Sequence, residues 1–107
     1  MSELRRHLRK AVQVEFHCRD ESGQGELLFD SADVSAGGAF LVCDMLFELG
    51  ETVQLDFTLK AGVPQSCRAR IAWVRRFPER GQEAGMGVEF LGLTEFDQRA
   101  IEAFLEG

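Results

Sequence analysis

VQLDFTLK, residues 53–60, alternates apolar and polar side chains without a break: Val53, Leu55, Phe57 and Leu59 on one side, Gln54, Asp56, Thr58 and Lys60 on the other. Side chains of a β-strand point to opposite faces in turn, so this period of two marks a strand with one buried face and one wet face. The alternation recurs on both sides of it. Downstream, residues 66–76 place Cys67, Ala69, Ile71 and Trp73 on one face with Arg68 and Arg70 opposite, and GMGVEF (85–90) turns Met86, Val88 and Phe90 inward. Upstream, Val12, Val14, Phe16 and Cys18 alternate with Gln13, Glu15 and His17, and two shorter strands are predicted near 26–31 and 39–43.

Between the strands lie turn chemistries. RDESGQG (19–25) reads as a hairpin loop, FPERGQEAG (77–85) as a longer one, and AGVPQ (61–65) as a turn, because Pro64 cannot donate to a central ladder. After the last strand, Thr94 offers a helix N-cap with Asp97 three residues on, and Phe96, Ala100, Ile101 and Phe104 are spaced for one helical stripe. Six short antiparallel strands and a terminal helix predict a mainly β fold, a small six-stranded barrel with a C-terminal α-helix. Closing the sheet removes its unpaired edges, and the helix can cover one open end. The 107 residues suffice for one core only, so a single domain is expected over 1–107: a basic arm (1–11), the barrel (12–91) and the helix (94–105).

Charge is distributed unevenly. The chain carries −6, yet Arg5, Arg6, Arg9 and Lys10 against Glu3 give the first ten residues +3, leaving −9 for the rest. A general nucleic-acid binder spreads a basic face over its body. A locally basic, elsewhere acidic chain instead suits a small anionic partner gripped at one place, so no nucleic-acid role is expected. No leader of signal-peptide form is seen, nor an apolar run near the about 18 residues of a membrane span, so a soluble, cytoplasmic protein without membrane insertion is expected. Cys18, Cys43 and Cys67 are widely spaced without CxxC, and buried reduced thiols are a better reading than a metal site. No nucleophile elbow, P-loop or metal triad appears, and an enzyme is not expected.

Two fragments stand out together: Arg5-x-x-x-Arg9 in the arm, and DVSAGG, Asp33-x-Ser35-x-x-Gly38, in the turn between two strands. RxxxR followed by (D/N)xSxxG resembles the paired motif of PilZ domains, receptors for the bacterial second messenger cyclic di-GMP. The resemblance covers essentially the whole chain, including the GMGVEF strand and the closing helix, and either half-motif alone would be weak. It implies a PilZ-type barrel with a flexible N-terminal arm, cyclic di-GMP as ligand and no cofactor. The implied binding residues are Arg5, Arg6, Arg9, Asp33, Ser35 and Gly38.

The side-chain chemistry is consistent with that implication. Guanidinium groups make planar bidentate hydrogen bonds to phosphate and to the O6/N7 edge of guanine, which lysine cannot. A carboxylate at Asp33 accepts from the ring N1–H and exocyclic NH₂ of guanine together. Ser35 adds a hydroxyl, and Gly38, without a Cβ, lets the backbone turn and the ligand approach. Each feature also has a plainer reading: a solvated basic terminus, or Asp and Ser bonding their own turn. Trp73, the only tryptophan, belongs either to the core by its alternation or to a platform that stacks on guanine. Arg75 and Arg76 either add charge at the same end or cap a strand terminus. The expected function is a cyclic di-GMP receptor that signals through ordering of its arm to an unknown downstream protein, with outputs such as motility or biofilm regulation. The alternative is a PilZ-like interaction module that binds no nucleotide.

Overall fold

The unbroken alternation at 53–59 places Val53, Leu55, Phe57 and Leu59 in the interior, none more than 3% exposed. In the computed structural model, which describes residues 9–20, 26–43, 47–59 and 62–106, the strands are β1 (Arg9–Lys10), β2 (Glu15–Asp20), β3 (Leu27–Ser35), β4 (Gly38–Val42), β5 (Thr52–Leu59), β6 (Val63–Arg75) and β7 (Gly85–Leu91). Helix α1 (Glu95–Glu106) follows. Strands β3, β2, β5, β6, β7 and β4 pair in that order, all antiparallel, and β4 pairs back onto β3 to close a six-stranded barrel. The two-residue β1 lies outside the ring, on β3. Of the expected flexible arm (1–11), Arg9 and Lys10 are instead strand, held on β3 by backbone pairing, while residues 1–8, with Arg5 and Arg6, lie outside the described residues.

The barrel is filled by the alternating faces read above. Phe16, Phe57 and Phe90 meet in the middle with ring centroids 4.4 to 6.3 Å apart, close enough for aromatic pairing to add to burial. Ile101 and Leu105 of α1 join the same core, with Ala100 and Phe104 packed beside them. Phe96 does not: it is 78% exposed. The packed part of the helix is its second half, and Phe96 sits in the first turn, ahead of it. Thr94 and Asp97 do form the expected reciprocal cap, Asp97 N donating to Thr94 Oγ1 (3.0 Å) and Thr94 N to Asp97 Oδ2 (3.3 Å).

Three strand boundaries differ from expectation. The first barrel strand starts at Glu15 rather than Val12; residues 12–14 are held instead by buried Ser31, whose Oγ accepts from Val14 N (2.9 Å) and donates to Val12 O (2.7 Å). Pro64 lies inside β6, opposite Thr58, not in a turn. It is tolerated there because β7 pairs with β6 only from Arg68 onward, so no third strand asks Pro64 for a donor. Strand β3 runs on through Asp33 to Ser35, so the DVSAGG segment is mostly strand, and the connection to β4 is only Ala36–Gly37.

Candidate functional site

Two β-bulges build the site. In β3 the register on β4 slips between Ser31 and Asp33, and in β6 the register on β7 slips between Ile71 and Trp73, so Ala32 and Ala72 are each one residue extra. A bulge inverts the phase of the alternation beyond it. Without the first, Asp33 would follow Phe29 and Ser31 inward; with it, Val34 is buried and Asp33 faces out. Without the second, Trp73 would follow Ala69 and Ile71 into the core. With it, Val74 packs against the core and Trp73 is 44% exposed. Trp73 therefore is not a core residue, and its reading from the alternation fails at this one inserted residue.

The outward-turned residues form a row across four adjacent strands: Asp33 opposite Phe40, Phe40 opposite Gly87, Gly87 opposite Trp73. Phe40 and Trp73 are two strands apart, about 10 Å by strand spacing, yet their rings lean together to 5.1 Å between centroids at 16°. The gap they close over is Gly87, where a Cβ would run into the indole. Gly85, two residues earlier on the same face, has first the Leu41 backbone carbonyl and then the Phe40 ring where its Cβ would lie. The guanidinium of Arg75 lies 5.1 Å from the Phe40 centroid and 5.3 Å from that of Trp73. Its Nη1 donates to the carbonyl of Glu83 in the β6–β7 loop (3.3 Å). Asp33, Phe40, Trp73, Arg75 and the loop residues Gln82 and Glu83 surround one cavity of about 460 Å³, within the range of small-molecule sites.

At the tip of the β3–β4 hairpin, the Ser35 hydroxyl accepts from Gly37 N (3.1 Å) and Gly38 N (3.2 Å), which fixes the turn. A Cβ at Gly38 would collide with the Val88 carbonyl, so this glycine is required by the close approach of β7. Arg9 of β1 pairs with Ser35, and Lys10 with Val34. The second arginine of RxxxR is thus joined through its backbone to the serine of DxSxxG.

Of the residues singled out in the sequence, Asp33, Trp73 and Arg75 line the cavity, whereas Ser35, Gly38 and the Arg9 backbone form the adjoining hairpin tip. Arg76 is exposed and is not among the residues lining it. Sequence reasoning missed Phe40, Gln82 and Glu83. The signal for Phe40 was the spacing of Gly85 and Gly87: two glycines on one face of a strand leave a flat outer surface that neighbouring aromatic rings can cover. A second cavity, of about 400 Å³, lies by His17, Glu26 and Asp56, where the hydrogen-bonded carboxylate of Glu26 holds His17 above its ordinary imidazole range. Among the described residues no group of three or more His, Cys, Asp or Glu could hold a metal ion, and no helix is long and apolar enough to cross a membrane.

Solved structures share this fold. The Bacillus subtilis inhibitor of motility MotI/DgrA superposes with a TM-score of 0.81 at 21% identity, over 95% of this chain and 49% of its own. The PilZ domain of YcgR from Escherichia coli with c-di-GMP gives 0.72 at 16%, over 95% and 88%, and the K. pneumonia MrkH–c-di-GMP complex 0.74 at 22%, over 95% and 51%. The chain spans about half the length of MotI and MrkH. No curated protein matches it in sequence. The model of the PilZ domain family matches residues 3–107, and with the six-stranded barrel and its closing helix this establishes that the chain belongs to the PilZ domain family.

Proposed function

We propose that this PilZ domain is a receptor for cyclic di-GMP that acts through a protein partner. Arg5, Arg6 and Arg9 would grip the phosphates and guanine edges, with Asp33 accepting from a guanine and Ser35 and Gly38 shaping the hairpin beside it. Trp73 and Arg75 supply a stacking and cationic wall. The observation that supports the reading is the backbone pairing of Arg9 with Ser35, two residues along β3 from the cavity-lining Asp33. Ordering of the arm over the ligand creates a new surface for the partner, and ligand drives that change only through its higher affinity for the ordered form. The role requires binding and a change of shape, not catalysis.

Titration of cyclic di-GMP into the wild type and into Arg9→Ala, by calorimetry with thermal melts, tests this. Ligand at a hundred times its dissociation constant is expected to stabilise the wild type by about 2.7 kcal/mol. Binding at micromolar concentration or tighter that collapses in Arg9→Ala supports the receptor. No heat and no melting shift in the wild type would leave a PilZ-like interaction module that binds no nucleotide.

A further inference from the structure

The cavity has a wall that neither half of the motif supplies. Its floor is the row across β3, β4, β7 and β6, and its lip is the β6–β7 loop at Gly81, Gln82 and Glu83. Gln82 is committed to its own turn: its N donates to Glu79 O (2.9 Å), and its Oε1 accepts from Glu79 N (2.9 Å). Glu83 is held on both sides. Its carbonyl accepts from Arg75, which stacks on Phe40 and Trp73, and the next residue, Ala84, accepts from Cys43 N at the end of β4 (3.1 Å). The Glu83 carboxylate itself makes no hydrogen bond or ion pair among the described residues. A backbone held by these hydrogen bonds thus carries, on a residue that lines the aromatic cavity, two acceptor oxygens not used elsewhere among the described residues.

We infer that Glu83 reads the N1–H and N2–H₂ edge of a guanine of the ligand and selects guanine over adenine. This rests on the reading of the chain as a cyclic di-GMP receptor. The ligand has two guanines, and the cavity has two carboxylates at its margins: Asp33 on β3, within the motif, and Glu83 on the loop, outside it. Guanine offers two adjacent donors to the two oxygens of a carboxylate, whereas adenine places its N1 acceptor against them. A site built to hydrogen-bond one partner rejects an analogue that leaves its polar groups unpaired. Arg75 beside Glu83 offsets the repulsion between this carboxylate and the ligand's phosphates.

The test is calorimetric titration of cyclic di-GMP and cyclic di-AMP into the full chain as wild type, Glu83→Gln and Asp33→Ala. Glu83 is exposed, and thermal melts are expected to show Glu83→Gln as stable as wild type. Glu83→Gln is expected to weaken cyclic di-GMP about tenfold and to narrow the gap to cyclic di-AMP, the scale of one bidentate base contact. Cyclic di-GMP affinity within twofold of wild type, or an equal loss for both nucleotides, overturns the role of Glu83. If wild type still binds cyclic di-GMP and Asp33→Ala abolishes it, the receptor reading survives that result. Absence of cyclic di-GMP binding by the wild type overturns both.

Discussion

Gly87 is bare because the indole of Trp73 occupies the space its Cβ would take, and the ring stack with Phe40 depends on that vacancy. In Gly87→Ala the indole is expected to swing toward solvent, which forfeits an aromatic pair worth about 0.5–1.5 kcal/mol. Trp73 is the only tryptophan and the chain has no tyrosine, so intrinsic emission reports this one site. A red-shifted emission maximum together with a lowered melting temperature is the expected outcome; an unmoved maximum would mean that the rings tolerate the methyl and that the glycine has another cause. The same residues mark the limit of what the sequence discloses. Asp33 was legible as a member of a spaced motif. The outward face of Trp73 was not, because a one-residue bulge at Ala72 inverts the alternation and alanine carries no mark of it. Glu83 was invisible for a different reason: a loop glutamate in an acidic chain has nothing local to distinguish it.

Among the elements, α1 is capped from two different distances. Its N-terminus is closed by Thr94 and Asp97, three residues apart, and was readable from spacing alone. Its C-terminus has no basic residue in the last turn, where Glu102 and Glu106 oppose the helix dipole. The missing cation comes from β1, where Lys10 Nζ donates to the Leu105 carbonyl (2.7 Å) across 95 residues of sequence. No periodicity could announce this contact. Lys10 also adjoins Arg9, so the strand that meets the DxSxxG serine pins the end of the helix. Lys10→Met keeps most of the aliphatic stem and removes the donor. It is expected to cost about 0.5–1.5 kcal/mol and to speed amide exchange in the last turn of α1, measured by hydrogen exchange and mass spectrometry. Unchanged protection over residues 102–106 would show that the helix end is held by the packing of Ile101 and Leu105 without help from the arm.

For the molecule as a whole, closure of the barrel determines what can reach its interior. Cys18 on β2 and Cys67 on β6 flank β5 and both point inward, 1% and 8% exposed. Burial pushes both thiols up to about 12, so while the barrel stays closed only roughly 10⁻⁴ of each is thiolate at pH 8. Cys43, beyond the end of β4, packs against the same core but is only half-buried, the most accessible of the three. With Ellman's reagent at pH 8 the native chain is therefore expected to react at Cys43 first, while Cys18 and Cys67 react only as the barrel opens, and all three react promptly in guanidinium. Because no strand of the ring can detach without exposing a partner edge, opening should be cooperative and the two slow thiols should share one rate. Where reclosing outpaces modification, cyclic di-GMP at a hundred times its dissociation constant should slow both about a hundredfold, since ligand that binds only the closed barrel reduces the open population by that factor. Two different slow rates would mean that part of the ring opens alone. Slow rates indifferent to ligand, under conditions where calorimetry records binding, would mean that the ligand is held by an arm that does not depend on the closed barrel.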